Sequence, residues 1–269
     1  MTVNDGSDRR GGSIDVCLLV FAWRCHPRYA LVLAGNRDEF HQRPAAPADW
    51  WPAPPGILAG KDLAAGGTWL GVSRSGRAAV VTNFREAPTA QAASRSRGAL
   101  ISAFLAASTS PAVWSRSVDG GEYGGFNLLL FAGRQGHYLS NREEQDSAVE
   151  PGIHGLSNHR LDTPWPKLVT ARDRFASSLE GADVEIAELF ELLSDRRQAP
   201  AASLPRTGVP EEWERLLSAA FIVHPAYGTR ASTVLAIGHD GRVRFEERRF
   251  DPDGQLAGDA RFEFEIGDG

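Results

Sequence analysis

Apolar residues fall into short runs with the spacing of strands, and most of these runs come in pairs. Residues 17–23 and 29–34 are two such runs, separated by a short turn that contains Pro27. Other pairs flank turns that contain glycine, a pattern typical of antiparallel hairpins. They are residues 68–73 with 77–83, 126–132 with 137–141, and 233–237 with 243–248. A last strand is predicted at residues 261–266.

Four segments between these strands have the apolar spacing of helices. Residues 98–107 place Leu100, Ile101 and Phe104 on one face. A second helix is predicted from Pro164, with Thr163 as its N-cap, to about residue 179. The others are predicted at residues 184–193 and 211–220, with 198–210 as a connection. Because hairpins outnumber β-α-β units, we expect an α+β domain of largely antiparallel sheets, each covered by helices on one face.

Composition narrows the class of protein. Of the 269 residues, 42% are hydrophobic and 23% are charged, which excludes a mainly disordered or fibrous chain. The net charge of −5 gives no reason to expect binding to nucleic acid or anionic lipid. The longest apolar runs fall far short of the ~20 residues that span a bilayer, so no transmembrane segment is predicted. Two cysteines make no disulfide framework, which favours a reducing compartment.

The chain begins with a polar, glycine-rich stretch over residues 1–16. This stretch lacks the apolar core of a secretory signal, and we interpret it as a disordered leader. We expect residues 17–269 to form one domain and the protein to be cytoplasmic. The common phosphate-loop, dinucleotide, serine-hydrolase and zinc-protease motifs do not occur. His154 and His159 have no partner cluster, so no metal site is predicted.

Polar residues are concentrated directly after the apolar run 29–34, at Asn36-Arg37-Asp38-Glu39. One interpretation is a solvated loop. The other is that Arg37 and Asp38 project into a cleft beside Cys17, where an arginine would favour the thiolate form of the cysteine.

Two asparagines and an arginine stand at the ends of other predicted strands. Asn83 and Asn158 could donate amide hydrogens to a developing oxyanion, or they could cap turns, which is their commoner role. Arg230 precedes the C-terminal hairpin. Each of these signals is weak when it is taken singly.

A series of short motifs runs nearly end to end through residues 17–266. The motifs are Cys17-Leu-Leu-Val-Phe, Asn36-Arg37-Asp38-Glu39-Phe40 with Arg43-Pro44, Gly66-Gly-Thr-Trp-Leu-Gly71, Thr82-Asn83, Gly125-Phe-Asn-Leu128, Gly155-Leu-Ser-Asn158 with Thr163-Pro-Trp165, and Tyr227-Gly-Thr-Arg230. Because these motifs occur together and in this order, the chain resembles the NRDE family, also called the transport and Golgi organization family. The family takes its name from the motif at residues 36–39.

The resemblance implies the fold of N-terminal-nucleophile (Ntn) hydrolases, a four-layer αββα sandwich of two mainly antiparallel sheets. It also implies a site like that of the amidases that cleave conjugated bile salts and penicillin V, although those enzymes space their arginine and aspartate more widely. The implied roles are Cys17 as nucleophile, Arg37 to favour its thiolate, Asp38 to orient its amine, Asn83 and Asn158 as oxyanion donors, and Arg230 to hold the site or a substrate carboxylate.

In most members of that family the cysteine directly follows the initiator methionine, whereas sixteen residues precede Cys17 here. A free α-amine, with a reference pKa of ~7.7–8.0, could act as the general base, but a peptide nitrogen could not. We therefore expect either cleavage after Val16 or a true start at Val16, read as methionine, and we favour the second. Translation from Met1 without processing would contradict both.

The resemblance implies two functions. The first is a cysteine hydrolase that needs no cofactor and acts on a small-molecule amide or thioester. The alternative is a non-catalytic binding or trafficking protein for haem or acyl-lipid. An axial haem ligand would have to be His, Cys or Tyr, because the only methionine is Met1. Four tryptophans could line an apolar pocket or belong to the core: Trp50, Trp51, Trp69 and Trp165.

Overall fold

The computed structural model of the chain describes residues 17–86, 95–142 and 145–267. The predicted leader at residues 1–16 lies outside these ranges. Within them, six strands form one antiparallel sheet, numbered here in chain order and given in their spatial order. They are β10 (Gly152–Leu156), β1 (Cys17–Trp23), β2 (Tyr29–Phe40), β11 (Tyr227–Gly238), β12 (Arg242–Phe250) and β13 (Leu256–Glu265).

A second antiparallel sheet has seven strands in the described part of the chain. They are β3 (Ala45–Trp50), β4 (Ile57–Asp62), β5 (Leu70–Ser73), β6 (Ala78–Asn83), β7 (Phe126–Ala132), β8 (Gln135–Ser140) and β9 (Gln145–Ala148). The helices are α1 (Gly98–Ala106), α2 (Pro111–Ser115), α3 (Pro166–Ser178), α4 (Ile186–Leu193) and α5 (Glu211–Leu216).

Side-chain alternation along the strands builds three layers of core. In β1, Leu19 points between the two sheets, whereas Leu18 points toward α3 and α4. In β7, Leu129 points between the sheets, and Leu128 points toward α1. The layers therefore run helices, six-stranded sheet, seven-stranded sheet, helices. This arrangement confirms the expected α+β fold, a four-layer αββα sandwich of two antiparallel sheets.

The motif at residues 36–39 is not a solvated loop, and that interpretation was wrong. β2 is twelve residues long and contains all four motif residues, none of them more than 6% exposed. It lies in the middle of its sheet, paired with β1 on one side and with β11 along nearly its whole length on the other. Asn36 and Arg37 pair on both sides, and Asp38 and Glu39 pair with β11 alone. This pairing keeps the polar segment extended although its side chains are not apolar.

Other predicted elements differ in their bounds or were missed. α3 begins at Pro166 rather than Pro164, with Trp165 as its N-cap residue. Trp165 has extended backbone dihedrals, as is usual for a residue that precedes proline. Strands β3, β4 and β9 and helix α2 were not predicted, because they are short and lack a clear apolar period. No helix among the described residues is long and apolar enough to cross a bilayer.

Candidate active site

Cys17 is the first residue of β1 and lies directly opposite Arg37 of β2 in the strand register. Its backbone nitrogen donates a hydrogen bond to Asn158 Oδ1 at 2.8 Å. The residue is half-buried, and it forms no disulfide with the exposed Cys25. The start of β1 therefore has a side-chain acceptor aimed at the nitrogen of its first residue.

Asn158 connects the two sheets at this point. It follows β10 and is fully buried, with a φ of 57°, a left-handed conformation that asparagine tolerates. While Oδ1 accepts from Cys17, Nδ2 donates to the carbonyl of Asn83 at 3.0 Å. The Asn158 carbonyl accepts from the backbone nitrogen of Arg85 at 2.7 Å. Asn158 therefore fixes the position of the Cys17 nitrogen relative to the end of β6.

Asn83 is the last residue of β6, and its side-chain amide is buried. Within the described residues, its Nδ2 has no hydrogen-bond partner. A buried donor without an acceptor costs about 1–3 kcal/mol, so such a group points to an acceptor supplied from outside the chain. Asn83 is thus the better placed of the two asparagines to donate to a bound oxygen.

Arg37 is held from the side of the second sheet. Its Nη2 lies 3.4 Å from Glu39 Oε2 and 3.7 Å from Asp62 Oδ2. Its guanidinium carbon lies 4.5 Å from the ring centroid of Trp69. Nη1 is buried and has no partner among the described residues. Being directly opposite Cys17, Arg37 shares its face of the sheet, which agrees with a role in favouring the thiolate.

Asp38 points to the other face of the same strand, since successive side chains of a strand alternate. Thr229 Oγ1 donates to Asp38 Oδ1 at 2.6 Å, and Oδ2 has no partner in the described structure. Burial raises the pKa of Asp38 to about 7, against the opposing effects of Lys167, Thr229 and Arg37. The expected shared cleft for Arg37 and Asp38 is therefore not formed, and Asp38 lies on the helix-covered side.

Arg230 lies in the register shift between β11 and β2. Its Nη1 donates to the carbonyls of Phe40, His41 and Arg43 at 3.0 to 3.3 Å. Burial lowers its pKa, and the nearby Arg37 lowers it further. These contacts support the expectation that Arg230 holds the site together, by fixing the chain as it leaves β2. A contact with a substrate carboxylate stays a prediction.

Two buried cations near the site were not singled out from the sequence. Arg85 follows β6, and its Nη1 lies 2.7 Å from Glu214 Oε2 with both side chains buried. Its guanidinium also stacks on Trp165, with the carbon 4.5 Å from the ring centroid. Lys167, the second residue of α3, is 6% exposed, and its Nζ donates to the carbonyl of Ala219 at 3.5 Å.

A compositional signal could have identified Lys167. The chain has only two lysines, Lys61 and Lys167, against 27 arginines. Because nearly all basic residues of the chain are arginines, a lysine directly after Pro166, at the start of a helix, is an unusual choice that marks this position as a candidate. Lys167 also differs in chemistry, since the pKa of a buried lysine shifts readily while arginine keeps its charge.

The other candidates for ligand binding are dispersed. No group of three or more His, Cys, Asp and Glu side chains in the described ranges could hold a metal ion. His154 and His159 make separate contacts with Asp162 and Thr163. The four tryptophans pack against three different clusters: Trp50 and Trp69 between the sheets, Trp51 under α1, and Trp165 beside α3. They do not line one common pocket.

Comparison with known proteins gives consistent matches over most of the chain. The family model described as Transport and Golgi organisation 2 matches residues 16–252. The Transport and Golgi organization protein 2 homolog of Bos taurus is 36% identical over 258 residues, covering 87% of this chain and 92% of the bovine one. The Homo sapiens homolog is 37% identical over 257 residues, with the same two coverages.

A solved structure is similar at the level of the chain trace. It is the Caenorhabditis elegans N-acylethanolamine-hydrolyzing acid amidase ortholog, with a TM-score of 0.47 and 10% sequence identity. The likeness covers 81% of this chain and 92% of that one.

Proposed function

The chain belongs to the Transport and Golgi organisation 2 family, and we propose that its Cys17 site is that of a cysteine hydrolase. The bond cleaved is the amide or thioester bond of a small molecule. The hydrogen-bonded series from the Cys17 nitrogen through Asn158 to Asn83 carries this proposal. It brings a thiol, an acceptor for its own nitrogen and an unpartnered amide donor to the ends of three strands.

The proposed reaction uses these groups in sequence. The Cys17 thiolate attacks the carbonyl carbon, a C–S bond forms, and the π electron pair moves to the carbonyl oxygen. Asn83 Nδ2 donates to the resulting oxyanion. The electron pair then returns, the bond to the leaving amine or thiol breaks, and the leaving group takes up the proton that the base had removed from Cys17. Water finally hydrolyses the acyl thioester and restores the thiol.

The general base of this reaction is the α-nitrogen of Cys17, once it is a free amine. In the sequence as it stands this nitrogen belongs to the peptide bond with Val16. Asn158 Oδ1 accepts a hydrogen bond from this nitrogen and thereby fixes its orientation. The proposal therefore includes a functional chain that begins at Cys17, which the intact mass of the protein from its own host tests directly.

Substitution of the two cysteines tests the proposed activity. Turnover of a panel of aryl amides and acyl thioesters is measured for the chain that begins at Cys17 and for two variants of that chain. We expect Cys17→Ala to lower kcat by at least about a thousandfold, since the variant lacks the attacking thiol. Cys25→Ala is the matched control and should keep the activity, because Cys25 is exposed in the turn after β1.

Two results would contradict the hydrolase. One is turnover that survives Cys17→Ala. The other is the absence of turnover together with haem or acyl-lipid binding that Cys17→Ala leaves intact, a result that would favour the binding and trafficking alternative. Haem binding is followed by the Soret band, and acyl-lipid binding by calorimetry.

A further inference from the structure

The connection between β4 and β5 of the seven-stranded sheet contacts the guanidinium of Arg37 at two points. Asp62 is the last residue of β4, and its Oδ2 lies 3.7 Å from Arg37 Nη2. Trp69 directly precedes β5, and its ring centroid lies 4.5 Å from the guanidinium carbon. One contact is made to the edge of the planar group and the other to its face. Together they restrict both its position and its tilt.

Asp62 is itself held in place by the turn that it begins. Its Oδ1 accepts from the backbone nitrogens of Ala64 at 2.9 Å and Ala65 at 3.0 Å, as in an Asx turn. Its other oxygen, Oδ2, lies 2.7 Å from Arg43 Nε as well as near Arg37. The carboxylate therefore has a fixed position against the end of β2, although it belongs to the opposite sheet.

Trp69 is held by the space beside Gly60 of β4. A Cβ added to Gly60 would lie 2.4 Å from Trp69 Cη2 and 3.2 Å from Glu247 Oε2, so the indole fills the space that the missing side chain leaves. Trp69 also packs on the core between the two sheets. This packing keeps the indole against the face of Arg37.

These contacts direct the rest of the Arg37 guanidinium. Glu39 Oε2 lies 3.4 Å from Nη2, but Glu39 belongs to the same strand as Arg37, so Asp62 supplies the charged contact from the opposite sheet. Nη1 is buried and has no partner among the described residues. Cys17 is directly opposite Arg37 in the register of β1 and β2, and the two side chains share one face of the sheet. The contacts of Arg37 with the opposite sheet therefore decide how its charge meets the thiol.

We propose that Asp62 is a positioning residue for the Cys17 site, which holds the Arg37 guanidinium where it favours the thiolate. This inference rests on the proposed role of Cys17 as a nucleophile. Asp62 acts through Arg37, because a carboxylate by itself would disfavour a second negative charge nearby. It takes up no proton in the reaction, and the general base remains the nitrogen of Cys17.

The sign of one substitution separates positioning from the effect of charge alone. Iodoacetamide alkylation of Cys17 is followed by intact mass between pH 5.5 and 9 in the full chain carrying Cys25→Ala. Asp62→Asn keeps an oxygen for the turn and removes the negative charge, so charge alone would move the midpoint of the profile downward. We expect it to move upward by about 0.5 to 1 pH unit, because Arg37 is released. A midpoint that falls or stays at the parent value would overturn the inference.

Two further variants check that the effect passes through Arg37. Asp49→Asn is the matched control, because Asp49 is an exposed residue of the neighbouring strand β3 and accepts from the backbone nitrogen of Trp50; its midpoint should equal that of the parent. Arg37→Met should raise the midpoint by about one pH unit, and Asp62→Asn added to it should raise it no further. An equal rise with and without Arg37 would overturn the inference. Near-UV circular dichroism over the same pH range shows that each variant is folded.

Asp62→Glu serves if Asp62→Asn fails to fold. It keeps the negative charge and moves it by one methylene, so charge alone predicts an unchanged midpoint, whereas positioning predicts an upward shift. A profile that overlays the parent would overturn the inference. Neither test needs turnover, so an inactive chain whose midpoint depends on Asp62 would contradict only the proposed reaction. An active chain whose midpoint does not depend on Asp62 would contradict only the positioning role.

Discussion

Glu247 of β12 is a buried carboxyl group that links the two sheets. Its Oε1 accepts from the backbone nitrogen of Ala48 in the opposite sheet at 2.8 Å, and Oε2 has no partner in the described structure. Burial raises the pKa of Glu247 to about 7, although Ala48, Arg249 and Arg37 oppose the shift. The folded chain thus keeps a proton on Glu247 over a pH range in which the unfolded chain has released it.

This proton makes the stability depend on pH in a known direction. The pKa of Glu247 is raised from 4.5 to about 7 in the folded chain, so its protonation stabilises the fold below 4.5. That contribution, on the order of 3 kcal/mol, is lost as the pH rises to about 7. We expect Glu247→Gln, a neutral analogue that keeps an acceptor for Ala48, to gain stability relative to the parent across that window.

Urea unfolding at pH 5, 6, 7 and 8 measures the effect as the difference between variant and parent. Glu188→Gln is the control, since Glu188 is exposed on α4 and should show a difference that does not change with pH. A Glu247→Gln difference as flat as that of the control would show that the Glu247 carboxyl is not held protonated by burial.

Residue types at the site were easier to predict than their directions. The motifs identified Cys17, Arg37, Asn83 and Asn158, and the structure brings their backbones together through hydrogen bonds and strand register. The sequence could not show that Asp38 faces away from Arg37, because that follows from the strand continuing through the motif. In a run of charged residues both faces of a strand are polar, so the alternation of apolar and polar residues that would identify a strand is absent.

At the scale of elements, a buried ion pair between Glu214 and Arg85 connects α5 to the site. Glu214 of α5 accepts from Arg85 at 2.7 Å and also from Thr207, through both its backbone nitrogen and its hydroxyl. The backbone nitrogen of Arg85 in turn donates to the carbonyl of Asn158. Removal of one partner leaves the other charge buried without compensation, which is the costly way to break such a pair.

We expect Glu214→Ala to lower the free energy of unfolding by about 3–5 kcal/mol. Glu211→Ala in the same helix should lower it by less than about 1 kcal/mol, because the ion pair of Glu211 with Arg215 is exposed. Urea unfolding also tests Arg85→Met and the double variant with Glu214→Ala, which should lose less than the sum of its two single changes. Strictly additive losses would mean that the pair is not coupled.

The elements that the sequence predicted well are those with one buried face. α1 and β7 each carry an unambiguous apolar pattern, and their observed bounds agree with the prediction within one residue. β3 was missed because it alternates weakly, with Pro47 in its middle and a register irregularity opposite β4. Its position depends on contacts across the sandwich, such as that of Ala48 with Glu247. Contacts between residues far apart in the chain do not appear in the local sequence pattern.

At the scale of the whole molecule, the two sheets bring the ends of β1, β6 and β10 to one place. Asn158 joins these ends by accepting from Cys17 and donating to Asn83. Arg37 is held against Trp69, which directly precedes β5 of the opposite sheet, so the packing of the sandwich also positions a charge of the site. The site is therefore a product of the four-layer arrangement, since no one strand or motif contains it.

The central claim is that the fold activates Cys17, and competition between the two cysteines of the native chain tests it most directly. Cys25 is more exposed than Cys17, although the chain still shields its thiol partly from water and so raises its pKa. The full chain is treated with less than one equivalent of iodoacetamide at pH 6.5, and the modified peptides are quantified by mass. In urea the two thiols should react at similar rates.

In the native chain we expect Cys17 to react at least about tenfold faster than Cys25 despite its lower exposure, because Arg37, directly opposite it in the sheet, favours its thiolate. Faster modification of Cys25 in the native chain would show that exposure alone decides the order, and would contradict an activated Cys17.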